Sequence, residues 1–131
     1  MRVIVSQGFS NIKCWCVVDA FNRLGHNASL ANRDDYYAAS ANDADLFYCH
    51  DSGDGFDFRQ THSAKLKKTA LFLSDSRFNY VQRNPGDDDT AKIVSDDGGW
   101  CFQAQTPDIV RLRAKFGDGL RVSHLPFAAD I

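Results

Sequence analysis

The sequence has no long apolar run. Its apolar stretches span a few residues each, too short for a membrane-crossing helix, and Met1-Arg2-Val3-Ile4-Val5 passes at once into Ser6-Gln7-Gly8, so no secretory signal is read there. It also lacks a dominant charge. Lys plus Arg number 15 against 17 acidic residues, a net charge of −2, so no general pull toward nucleic acid or anionic lipid is expected. Aromatic and basic residues do not interleave on any predicted strand pair, which weighs against an RNA-recognition surface. There is no nucleophile elbow, P-loop or zinc-protease motif. What remains is a chain of 131 residues, 44% hydrophobic, read as one cytoplasmic domain over residues 1–131 with no membrane partner, no nucleic-acid partner, no cofactor and no metal.

The four cysteines, Cys14, Cys16, Cys49 and Cys101, sit among apolar or aromatic neighbours without the spacing of a disulfide scaffold or zinc knuckle, and read as buried reduced thiols. Cys14-Trp15-Cys16 resembles a chelating pair. On a helix, however, residues two apart point about 200° away from each other and cannot share a metal. Asp87-Asp88-Asp89 could offer oxygens to a hard cation, but within a Pro/Gly/Asn-rich segment the run reads as solvated charge. His26, His62 and His124 are too scattered for a ligand set.

Strand and helix patterns alternate along the chain. A β-branched run over residues 2–6 ends in a glycine turn, and a helix follows with Cys14, Val17, Val18, Phe21 and Leu24 on one stripe, Ser10 or Asn11 as cap and Gly25 as stop. A second strand over 28–31 completes a βαβ unit, whose strands should be parallel. Residues 32–43 read as a loop with a short helix, 45–50 as a buried strand, 60–68 as a helix and 69–73 as a fourth strand. Residues 79–90 are the most loop-like. Residues 91–95 and 100–103 read as strands, either a hairpin or two successive elements. Thr106-Pro107-Asp108 starts a helix with Thr as cap, Ile109, Leu112 and Phe116 carry it to Gly117, and 120–125 form the last strand. This alternation predicts an α/β three-layer sandwich with a mainly parallel, Rossmann-like sheet. Ligands in such folds sit beyond the carboxyl ends of the strands, near the point where strand order reverses.

That rule selects four loops, over residues 7–11, 50–55, 74–79 and 103–106. Gly8, Phe9, Ser10 and Asn11 lie where backbone N–H groups at a helix start could hold a phosphate or carboxylate, although a plain tight turn explains a single glycine equally well. His50 beside Asp51 could serve as a general base toward a hydroxyl, or as a loop hydrogen-bonding pair. Ser74, Asp75, Ser76 and Arg77 offer two hydroxyls, a carboxylate and a guanidinium, suited to a polyhydroxylated or anionic ligand, or to a solvated strand cap.

The chain resembles the N-terminal, acceptor-side domain of GT-B glycosyltransferases, the CgeB-like and family-4-like group. The segments that carry this are Arg2-Val3-Ile4-Val5-Ser6-Gln7-Gly8, Leu24-Gly25-His26, Asp45-Leu46-Phe47-Tyr48-Cys49-His50, and the closing section from Phe102-Gln103-Ala104-Gln105-Thr106 through Leu120-Arg121-Val122-Ser123-His124-Leu125-Pro126-Phe127-Ala128-Ala129-Asp130. The resemblance implies that Gly8 and the following amides face an inter-domain cleft. It makes His50, Asp51 and Asp75 candidates for acceptor binding or base catalysis. It also implies a separate nucleotide-sugar-binding chain as partner, since the family's second domain would begin near Ile131. The opening loop has less glycine than is common in that family. Three readings stay open: an acceptor-side domain that transfers sugar with a partner chain, a non-catalytic nucleotide or small-molecule module, and an assembly protein, such as a homo-oligomer, on an α/β scaffold.

Overall fold

The computed structural model of the protein describes residues 1–7, 11–50, 58–73, 86–104 and 106–125. Strands and helices alternate as β1 (Arg2–Ser6), α1 (Asn11–Arg23), β2 (Asn27–Ala31), α2 (Arg33–Ala38), β3 (Leu46–His50), a 3-10 turn (Phe58–Gln60), α3 (Ser63–Leu66), β4 (Thr69–Leu73), α4 (Gly86–Asp96), β5 (Trp100–Gln103), α5 (Thr106–Phe116) and β6 (Val122–His124). Every pairing is parallel, in the order β2-β1-β3-β4-β5-β6. The expected three-layer α/β sandwich is therefore present.

Parallel neighbours require a crossover, and crossovers are right-handed. The chain steps from β1 to β2 in one direction and thereafter always in the other, so α1 lies on one face of the sheet and α2 to α5 on the opposite face. The core divides accordingly. Val3, Val5 and Ala28 pack under Cys14 and Val18 of α1, whereas Phe47, Cys49, Leu71, Leu73, Cys101 and Val122 meet Tyr36, Leu66, Ala91, Val94 and Leu112 from the four other helices. β4, Thr-Ala-Leu-Phe-Leu, is buried at every position, as a continuous apolar run implies for an inner strand of a parallel sheet. Gly25 after α1 and Gly117 after α5 adopt φ of 86° and 99°, the left-handed geometry that ends a helix without a Cβ penalty.

Several expectations are corrected. Residues 91–95 do not form a strand, and the hairpin with 100–103 does not exist, because Gly86–Asp96 is one helix and β5 pairs in parallel with β4 and β6. Ala91 and Val94, three apart, become fully buried only in a helix laid across the sheet. The Asp run that reads as loop is that helix's first turn, where negative charge suits the dipole. The helix expected over 60–68 contracts to the 3-10 turn and the four residues of α3. α5 begins at Thr106 itself, so Thr106 is a helical residue rather than the cap, and the last strand is limited to Val122–His124. Leu24 falls one residue past the end of α1, is 74% exposed and leaves the apolar stripe. Cys14 is buried and Cys16 exposed, which confirms their opposed directions but removes Cys16 from the buried thiols. No helix among the described residues is long and apolar enough to cross a membrane.

Candidate functional site

Strand order reverses at β1, whose neighbours are β2 on one side and β3 on the other. From β1 the chain leaves toward α1 on one face; from β3 it leaves toward α3 on the opposite face. In doubly wound sheets such a switch point is where ligand crevices lie. The sheet beneath is held in register there: the Gln7 N–H donates to the Ala31 carbonyl at 2.7 Å, and Val5 stands opposite Tyr48. His50, the last residue of β3, is in register with Phe72 of β4.

Of the residues singled out from sequence, Asn11 opens α1 and His50 closes β3, so both lie at the carboxyl edge and on the two strand–helix units that flank the switch point. Gly8, Phe9, Ser10, Asp51, Ser74, Asp75, Ser76 and Arg77 lie outside the described residues. The strands from which their segments depart, β1, β3 and β4, are consecutive in the sheet. After β5, Ala104 N–H donates to the Leu73 carbonyl at 3.2 Å, and Gln103 is fully buried.

Two features of this edge were not legible in the sequence. The Ser6 hydroxyl, at the end of β1, is fully buried and has no hydrogen-bond partner among the described residues. An unsatisfied buried hydroxyl costs about 1–3 kcal/mol. A serine closing a strand carries no signal of this, because its burial depends on what crosses above it. The second feature is how the helix starts are charged. α4 carries Asp88 and Asp89 in its first turn, α5 carries Asp108, and α2 carries Asp34 and Asp35, whereas α1 has no acidic residue in its first turn. At α4 and α5, Asp88 and Asp108 are engaged. Arg111 grips Asp88 with both terminal nitrogens, at 2.6 and 2.9 Å, and its Nε donates to Asp108 at 3.2 Å. Burial would raise the Asp88 pKa, but the bonds and charge of Arg111, then of Lys115, outweigh it and hold the carboxyl below its ordinary value. The run read as solvated charge is thus partly an interhelix clamp. Among the described residues no group of His, Cys and Asp could hold a metal ion.

No protein-family model and no curated protein matches the chain. Among solved structures it is similar to a flavodoxin of Streptococcus pneumoniae TIGR4, with 18% identity and a TM-score of 0.42, over 91% of this chain and 95% of that one.

Proposed function

We propose that this chain is a small-molecule-binding module that takes a nucleotide or another phosphate- or carboxylate-bearing ligand in the crevice at the carboxyl ends of β1 and β3. The observation that supports this above all others is the reversal of strand order at β1, the position where doubly wound sheets hold their ligands. The acid-free first turn of α1 adds a second reason. An anion is favoured at a helix start by the dipole and by free N–H groups, and among the described helices longer than eight residues α1 alone does not supply its own. The buried Ser6 hydroxyl offers a ligand or water one further hydrogen bond.

In this reading Gly8, Phe9, Ser10 and Asn11 cradle the anionic group, and Ser74, Ser76 and Arg77 meet the polar remainder. His50, Asp51 and Asp75 bind hydroxyls. The finer version, carried by the resemblance to GT-B acceptor-side domains, gives those three residues acceptor binding or base catalysis and requires a nucleotide-sugar-binding partner chain. Thermal-shift screening against nucleotides, cyclic nucleotides and UDP-sugars tests both. A ligand at 100 times its Kd adds about 2.7 kcal/mol of stability. Asp51→Ala and Asp75→Ala should reduce that shift and leave the unliganded Tm unchanged. Sugar transfer is expected only on addition of the second chain. Silence across the whole panel would reject the binding reading in favour of an assembly role.

A further inference from the structure

A concavity lies away from the β1–β3 switch point, on the helix-rich face between α2 and the segment that runs from the 3-10 turn into α3. Its volume is about 630 Å³. That falls within the roughly 300–1,000 Å³ of small-molecule pockets. Among the described residues its charged lining is Arg33 and Lys65, with His62 beside them, and no carboxylate lines it.

Lys65 gives the cavity its character. The side chain is 4% exposed; its ammonium donates to the carbonyls of Tyr36 and Ala39, and at 3.4 Å toward that of Tyr37. The nitrogen also sits 4.9 Å from the Tyr36 ring centre and 4.8 Å from that of Phe47. Carbonyls and ring faces satisfy its hydrogens without cancelling its charge, and among the described residues it has no ion-pair partner. Desolvation lowers its pKa, opposed by Asp43, whose carboxylate is itself occupied by the Ser40 N–H at 2.7 Å. A buried positive charge of this kind favours an anion in the adjoining space. The lip supplies donors. His62 Nδ1 accepts from the Ala64 N–H at 3.2 Å, which leaves Nε2 as the protonated nitrogen, and the Arg33 guanidinium is placed over the Tyr37 ring at 6.0 Å.

We propose that this cavity binds a small organic anion, whose carboxylate or phosphate meets Arg33 and His62 above the buried charge of Lys65 while its apolar body packs on Tyr37, Ala39 and Ala41. The site shares no residue with the crevice, so each stands or falls separately.

The test is amide NMR titration of the intact chain with benzoate, phenyl phosphate, benzyl alcohol and benzylamine, which hold the ring nearly constant and vary the charge. Benzoate or phenyl phosphate should move the amides of residues 33–41 and 60–65. The neutral alcohol should bind about tenfold more weakly, the difference one charge-assisted hydrogen bond makes. Benzylamine should be weaker still. The better of the two anions decides between carboxylate and phosphate. Arg33→Ala, at an exposed position, should weaken the anion about tenfold with Tm unchanged; if that variant melts early, Arg33→Gln carries the comparison. Binding that ignores charge, an affinity indifferent to Arg33, or anion-induced shifts confined to Gln7, Asn11 and His50 would overturn the assignment.

Discussion

All 17 acidic side chains of this protein are aspartates, and their short reach shows in what they do. Asp34, Asp35 and Asp108 sit in first turns, and Asp45 accepts from the Arg2 N–H at 2.8 Å. Asp88 is tied to the pH dependence of stability. Its pKa lies below the ordinary value in the folded state, so the stability it contributes is present above the unfolded carboxyl range and is lost as pH falls through the lowered folded value. Arg111→Ala removes the clamp and should cost about 2 kcal/mol at neutral pH while flattening the acid limb of stability against pH. Denaturant melts across that limb measure it; an unchanged limb in the variant would acquit Asp88. At Cys101 burial prevails, because no strong partner outweighs it. Cys101 is pushed up to about 12 by desolvation, with the charge of Arg121 opposing, so it remains a protonated thiol that packs against α4 and donates to the Ala91 carbonyl.

At the scale of elements, short helices are held by side chains from their neighbours. α2 has six residues, too few to persist alone; Asn32 caps its start by accepting from the Asp35 N–H, and Lys65 takes up the carbonyls at its end. Lys68 extends the same support to the carbonyls of Ala41 and Ala44, on the way into β3. The turn from α4 to β5 depends on close approach. A Cβ on Gly99 would stand 2.5 Å from the Leu66 carbonyl oxygen and 2.9 Å from that of Thr69, backbone atoms that cannot swing aside. Gly99→Ala should therefore lose about 1–3 kcal/mol, the usual cost of overpacking. Chemical denaturation reads this directly, and a neutral result would mean that α3 and β4 can separate there.

Across the whole molecule, the open sheet ends in two edges, and each is blocked by a helix side chain. In β2 the Asn27 N–H and the Ala31 carbonyl point to β1, so Ala28 turns its own groups outward, and the Asn22 amide of α1 pairs with both, at 2.8 and 3.2 Å. At the far edge Arg113 donates to the Val122 carbonyl at 3.0 Å. An unpaired edge recruits strands from other chains. Asn22→Leu should thus promote concentration-dependent self-association, visible by sedimentation velocity, while wild type under the same conditions does not share that dependence; matching behaviour would deny Asn22 this role. The sheet is also unevenly covered, with four helices on one face and α1 alone on the other among the described elements. Trp100 is 42% exposed, its ring covered in part by Arg121 at 5.8 Å.

Much of this architecture was legible in the residues themselves. The βαβ start, the glycine stops at Gly25 and Gly117, the buried run of β4 and the parallel α/β class all follow from local patterns, because periodicity and φ preference act over a few residues. α4 was not legible. Ala91 to Ser95 suits a strand as well as a helix taken alone, and only the need to carry the chain from β4 to a parallel β5 decides between them. The candidate loops could be located by the same logic, since carboxyl ends of strands are fixed once strands are assigned. The buried charge of Lys65, the unsatisfied Ser6 and the Asp88 clamp could not be located, because each depends on groups from 23 to 29 positions away or on what covers a strand end. Local chemistry set the elements other than α4; burial, which exists only when distant segments meet, set which polar groups carry cost and therefore meaning.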